Sequence, residues 1–186
     1  SYTKDAKIRY LQGDASARAY ARLLAGTKQY ILMDWPPQPD GPPIQHGLSY
    51  SRIAHLAEST IAFESVAGLL QSEGLRVPKI FAADHALGLL LLEDLGQGVY
   101  SSEISKGTDL KLLWKAATDA LIEIRKINKH KVILWNKEKG KSAPIRDYDS
   151  GTFKIEIQLL LDWYWPFVKG TTISSEERRH FEALWE

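Results

Sequence analysis

The sequence predicts an α+β fold, with short antiparallel strands gathered in the first half and helices in the second. Three observations carry this. Apolar stretches of strand length, residues 8–11, 20–24 and 30–33, are separated by the turn signals Gly13-Asp14-Ala15-Ser16 and Gly26-Thr27. A second extended pair follows, residues 80–83 and 89–92, joined by Ala86-Leu87-Gly88. Beyond Gly98 the apolar period changes: Leu110, Leu113, Trp114, Ala117, Leu121, Ile124 and Ile127 form a helical stripe over residues 109–128.

The remaining elements follow in order. Residues 35–43 hold five of the eight prolines and Gly41, which excludes helix and central strand and predicts a surface loop. From Ser51 one helix is expected, with Ile53, Leu56, Ala57, Val66, Leu69 and Leu70 as its apolar positions and Gly74 closing it. Lysine-rich residues 129–142 read as a solvated loop. A further helix over residues 148–168, with Ile155, Leu159 and Leu160 inward, ends near Trp165-Pro166, and residues 174–186 read as a capped, charged helix. The aromatic group Trp163, Tyr164, Trp165 and Phe167 is expected to pack as core at a helix end, with stacking on a sugar ring as the alternative.

Composition narrows the function. The net charge of +1 offers nucleic acid no bulk electrostatic surface, and no apolar run approaches bilayer length. The absence of cysteine excludes thiolate metal sites and disulfides. The histidines, His46, His55, His85, His130 and His180, are scattered without metal-ligand spacing, so no metal site is expected in this chain.

Three segments carry candidate chemistry. Gly13, Asp14, Ala15, Ser16 and Arg18 lie between two strands; small residues let backbone N–H groups approach a phosphate chain, and Arg18 can donate charged hydrogen bonds. A plain hairpin loop has the same composition, and no Walker-type Gly-Lys-Ser/Thr follows. Glu93, Asp94 and Leu95 end a buried strand at a Gly-bounded joint. Such a joint can bind the edge of an adenine ring through its main chain; a core strand with a polar exit is the alternative. Glu64 is a candidate helix glutamate of the kind that holds a cation on nucleotide phosphates, with Glu58 and Glu73 as competitors.

In order, these pieces are more specific than any one alone. Residues 11–20, 30–37, 74–84 and 88–96, together with Tyr148-Asp149 and Leu160-Leu161-Asp162-Trp163-Tyr164, closely resemble the cell-wall sugar kinases of the aminoglycoside-phosphotransferase family, in an alphaproteobacterial branch often fused to an ATPase subunit of tRNA threonylcarbamoylation. The resemblance implies a kinase-like N-lobe over residues 1–95, with phosphate loop and hinge, and a partial helical C-lobe over residues 96–186. It further implies a cytoplasmic, ATP- and magnesium-dependent enzyme of peptidoglycan recycling. The acceptor would be an amino sugar, phosphorylated at the anomeric hydroxyl of N-acetylmuramate or N-acetylglucosamine.

Two departures stand out. The third strand reads Ile31-Leu32-Met33-Asp34 where such kinases carry lysine, leaving Arg18 or Arg22 as the substitute. The His-x-Asp catalytic loop is missing: around Asp147, Ile145 stands in place of His and Thr152 in place of Asn. The expectation is a chain that stops before its catalytic residues and magnesium ligands, and is inactive alone. A non-catalytic nucleotide-binding module, and a kinase of another small alcohol such as choline or an aminoglycoside, are the alternatives.

Overall fold

The computed structural model describes residues 6–13, 16–57, 59–127, 132–136, 141–144 and 146–185. They divide into two compact units, Ser1–Gln38 with Glu58–Ile145, and Pro39–Ala57 with Arg146–Glu186. Leu95, the expected lobe joint, falls inside the first.

The first unit is built on a five-stranded antiparallel sheet. Strands β1 (Lys7–Tyr10), β2 (Ala19–Ala25) and β3 (Lys28–Asp34) form the predicted meander. The β2–β3 turn is Gly26-Thr27, with Gly26 at φ 61°. The sheet order is β1-β2-β3-β7-β6. Here β6 is Ile80–Asp84 and β7 is Leu89–Glu93, so the strand ending at the candidate hinge lies directly beside β3.

Alternation along the strands decides the core. Tyr20 pairs with Met33, Arg22 with Ile31, Met33 with Leu90 and Ile31 with Leu92, so these side chains share one face. Met33, Leu90, Leu92 and Trp35 are buried there, and Phe63 packs against them from helix α2 (Thr60–Ser72). Gly88, in the β6–β7 turn, is the glycine the packing demands. Its φ is 74°, and a Cβ would lie 2.1 Å from the Trp35 carbonyl oxygen. Its own carbonyl accepts from the Trp35 N–H at 2.8 Å.

The single helix expected from Ser51 to Gly74 is two. Its first turn, α1 (Tyr50–Ile53), belongs to the second unit, after the small ribbon of β4 (Pro43–Gln45) and β5 (Leu48–Ser49). The break has a local cause: His55 adopts φ 50°, a left-handed conformation that a helix cannot continue.

The helices α3 (Tyr100–Ser105) and α4 (Leu110–Lys126) follow the sheet. The Asp109 carboxylate caps α4 by accepting from the Lys111 N–H. The stripe of α4 is helical as expected, yet Leu110, Trp114 and Leu121 stand exposed. The loop expected at residues 129–142 is in part a ribbon, β8 (Val132–Asn136) paired with β9 (Lys141–Pro144). The apolar run Val132-Ile133-Leu134-Trp135 is of strand type, and the lysines around it obscured that.

In the second unit, α5 (Ser150–Leu159) runs through a π-helical turn, Leu160–Tyr164, into α6 (Trp165–Lys169). The wider turn shifts the helical phase. Ile155 and Leu161 are buried, whereas Leu159 and Leu160, expected inward, are exposed. The same shift turns Trp163, Tyr164 and Phe167 outward, correcting the expectation that they form core. The last helix, α7 (Ser175–Ala183), is capped as expected, and the cap is a capping box between Ser174 and Glu177. Among the described residues no helix is long and apolar enough to cross a membrane.

Candidate nucleotide site

The candidate phosphate loop lies between β1 and β2 in sequence and the candidate hinge follows β7, all strands of the five-stranded sheet of the first unit. Residues 13–18 lead into β2 at Ala19, which pairs with Asp34, itself opposite Leu89. At the far end of the same three strands Leu23 pairs with Tyr30, and Tyr30 with Glu93. Ala19, where the loop enters β2, and Glu93 are therefore separated by four residues along the strands, about 14 Å, and by two strand spacings, about 10 Å. The resulting diagonal between them is about 17 Å.

Gly13, at the start of the loop, faces open space. Gly13 is exposed, and a Cβ there would meet nothing within 4 Å, so its smallness is not required by the chain's own packing. Asp14 and Ala15 lie outside the described residues. Ser16 is half-buried, with the Arg18 N–H 3.4 Å from its hydroxyl oxygen. The Arg18 guanidinium sits 5.2 Å from the ring centroid of Trp35, a cation–π contact that anchors it to a core residue.

At the hinge, the sheet ladders end with Glu93 opposite Tyr30 and Leu92 opposite Ile80. The Glu93 N–H donates to the Lys79 carbonyl at 2.8 Å, and the Glu93 carboxylate accepts from the Lys79 N–H at 3.1 Å. The main chain of Asp94 and Leu95 lies beyond both ladders, and the Leu95 side chain is exposed.

The Asp94 side chain has a specific partner. Its Oδ2 accepts from Arg22 Nε at 2.5 Å and its Oδ1 from Arg22 Nη2 at 3.2 Å, while Oδ1 also accepts from the Gly96 N–H at 2.9 Å. The two side chains are 9% and 7% exposed, which makes this a buried fork-to-fork pair. The Arg22 hydrogen bond holds the Asp94 carboxyl below its ordinary pKa, against the opposing effect of burial. Of the two arginines left open as substitutes for the missing strand lysine, Arg22 is thus engaged at the hinge.

Glu64 reaches neither arginine in the pairs observed. Its Oε2 lies 2.8 Å from Nε2 of His85, in the β6–β7 turn, and the other ring nitrogen, Nδ1, lies 2.9 Å from the buried Thr60 hydroxyl. A polar groove of about 660 Å³ runs from Glu64 past Gln71, Arg76 and Lys79 to Glu93. His85 and Thr60 are the residues that sequence reasoning missed, and for Arg22, named as a substitute cation, it missed the partner. The β2 register would have placed Arg22 on the α2 face, but nothing in the spacing pairs it with a residue 72 positions later.

Thr152, which stands where the catalytic loop would carry Asn, and Asp162 have other partners. The Thr152 hydroxyl donates to the Ile53 carbonyl at 3.0 Å, and Asp162 pairs with Arg178. Among the described residues no three His, Asp or Glu side chains converge as metal ligands.

No protein-family model matches the chain. An N-acetylmuramate/N-acetylglucosamine kinase of Caulobacter vibrioides is 36% identical over 190 residues, covering 97% of this chain and 51% of that protein. Proteins of the same name from Pseudomonas aeruginosa and Pseudomonas putida are 32% and 27% identical, covering 92% and 93% of this chain and 41% of each relative. The chain thus spans about half the length, or less, of the curated relatives it matches. Over nearly its whole length the chain is related in sequence to the N-acetylmuramate/N-acetylglucosamine kinases.

Proposed function

We propose that this chain is the nucleotide-binding part of a kinase-like phosphotransferase, with residues 1–95 as the N-lobe and the first C-lobe helices following. The parent protein moves the γ-phosphoryl group of ATP to a hydroxyl of an amino sugar, the anomeric hydroxyl of N-acetylmuramate or N-acetylglucosamine. The observation that carries this is the diagonal placement of Ala19, where the small-residue loop enters β2, and of the ladder-free hinge after Glu93 on one three-strand segment. The names of the relatives support the sugar acceptor.

The residues present fit a nucleotide. The space beside Gly13 admits a phosphate chain, and the Asp94–Leu95 main chain offers its N–H and C=O groups to a base. With Arg22 engaged by Asp94, Arg18 is the cation that serves the phosphates, held ready by Trp35. Asp94 contributes its backbone, while its carboxylate sets the hinge. A magnesium ion would neutralise charge on the transferred group; its ligands are assigned to the part of the relatives' length that this chain does not span.

Titration of the chain with a fluorescent ATP analogue tests the proposal. Saturable binding is expected, weakened about tenfold or more in Arg18→Ala through loss of a charged hydrogen bond. Absence of saturable binding, or an affinity indifferent to Arg18, would overturn it. Phosphorylation of the amino sugar is expected from a protein of the relatives' length and not from these residues alone.

A further inference from the structure

We infer that His85 is a positioning residue of the nucleotide site, tying helix α2 to the hinge strand in the role that a strand lysine would otherwise fill. The inference rests on the nucleotide-site reading above and adds a residue to it. On the face that α2 covers, β3 presents Ile31 and Met33, neither of which can hold a carboxylate. The charge on β2 that points the same way, Arg22, is held by Asp94. Glu64 turns instead to the β6–β7 turn.

The geometry there is a two-point grip. Thr60 and Glu64 are four residues apart on α2 and so lie one above the other on one helix face. They take the two ring nitrogens of one imidazole, Thr60 Oγ1 at 2.9 Å from Nδ1 and Glu64 Oε2 at 2.8 Å from Nε2. A carboxylate only accepts, so Nε2 carries a proton. In the neutral ring Nδ1 then accepts from the Thr60 hydroxyl. Thr60 is 1% exposed and His85 19% exposed in its side chain, so the grip is largely shielded from water.

From His85 the chain passes Gly88, whose carbonyl binds the Trp35 N–H, into β7 and reaches the hinge at Glu93. A displacement of α2 at its first turn is therefore transmitted to the start of the strand that presents the adenine-binding backbone. A lysine on β3 would fix the helix from the middle of the sheet; His85 fixes it from the turn that feeds the hinge.

The test uses the full chain with His85→Ala, His85→Gln, Glu64→Leu and the His85→Ala/Glu64→Leu double variant. Affinity for a fluorescent ATP analogue and hydrogen exchange of the α2, Glu93 and Gly96 amides are both read. His85→Ala and Glu64→Leu, which removes the acceptor, are each expected to weaken the analogue about fivefold, with no further loss in the double variant. His85→Gln, which can still donate to Glu64, is expected to recover most of the affinity. Exchange is expected to rise at the hinge amides as well as in α2. Additive losses, no rescue by glutamine, or unchanged hinge exchange would overturn the assignment. If the unmodified chain binds no analogue, the nucleotide reading falls, and the exchange pattern alone decides whether His85 places the hinge strand. Should the alanine variant fail to fold, Glu64→Leu and His85→Gln decide through the same two readouts.

Discussion

Replacing Asp94 by alanine tests the side-chain link between β2 and the hinge. Removal leaves the Arg22 guanidinium 72 residues away without its carboxylate, in a site where the pair is 9% and 7% exposed. At that exposure the cost is set by stranding a charge rather than by losing a surface contact, and is about 3–5 kcal/mol. Loss of two charge-assisted hydrogen bonds, at about 1.5–3 kcal/mol each, leads to the same range. For a chain of this length that corresponds to a melting temperature lower by about 6–20 °C. Urea and thermal unfolding of the sheet, followed through the Trp35 environment, measure it. Arg22→Met should cost a similar amount, and the double variant much less than the sum. A loss in Asp94→Ala below about 1 kcal/mol would place the pair among exposed salt bridges and refute the buried-clamp reasoning.

Further outcomes follow from the same coordinates. The folded state lowers the Asp94 pKa from its ordinary 3.8, so this contribution is complete above that value and lost as pH falls through the lowered one; Asp94→Asn should flatten that acid limb of the stability curve. Tyr50, donating to Glu156 at 2.8 Å, is pushed up to about 12, chiefly by burial and then by this hydrogen bond. Its contribution should hold below pH 10 and fade as pH rises through 12, and Tyr50→Phe should remove this alkaline arm in a pH-dependent unfolding series. Gly88→Ala should destabilise by about 2 kcal/mol or more, because a left-handed φ of 74° and a backbone clash with Trp35 coincide; thermal unfolding reads it. Ser174→Ala, which opens the α7 capping box, should cost about 1 kcal/mol, read by urea unfolding of the second unit.

The strands were legible because each is a short apolar run with its own punctuation. Gly26-Thr27 between β2 and β3, and Gly88 before β7, mark turns by local conformational need, which sequence records directly. Where the sequence misled, a local signal was overruled or diluted. His55 carries no obvious helix-breaking character, yet its φ of 50° divides one expected helix into two. The π-helical turn at Leu160–Tyr164 shifts the phase, and a 3.6-residue template then assigns Leu160 inward when Leu161 is the buried residue. The candidate site follows the same division. The loop at residues 13–18 and the exit at 93–95 have recognisable composition, whereas the pairs Arg22–Asp94 and Glu64–His85 join residues whose proximity depends on sheet order.

These two pairs have a joint consequence for the hinge strand. Strand β7 is fixed before its start by the grip of Thr60 and Glu64 on His85 and by the Gly88–Trp35 hydrogen bond. It is fixed after its end by Arg22 on Asp94, whose carboxylate also holds the Gly96 N–H. The Asp94–Leu95 main chain is therefore set in place by the chain's own contacts, whereas Gly13 is exposed and a Cβ there would meet nothing within 4 Å. A base binding to this hinge meets preorganised groups and orders little. In the proposed site the phosphates rely on the exposed Gly13 backbone and on the Arg18 guanidinium, which stacks on Trp35. Adenosine should accordingly retain a large share of the binding free energy of ATP in this chain, and Arg18→Ala should narrow the gap between the two ligands by weakening only the triphosphate. An adenosine affinity that falls in step with that of ATP in the Arg18 variant would contradict this division between a fixed base site and an open phosphate site.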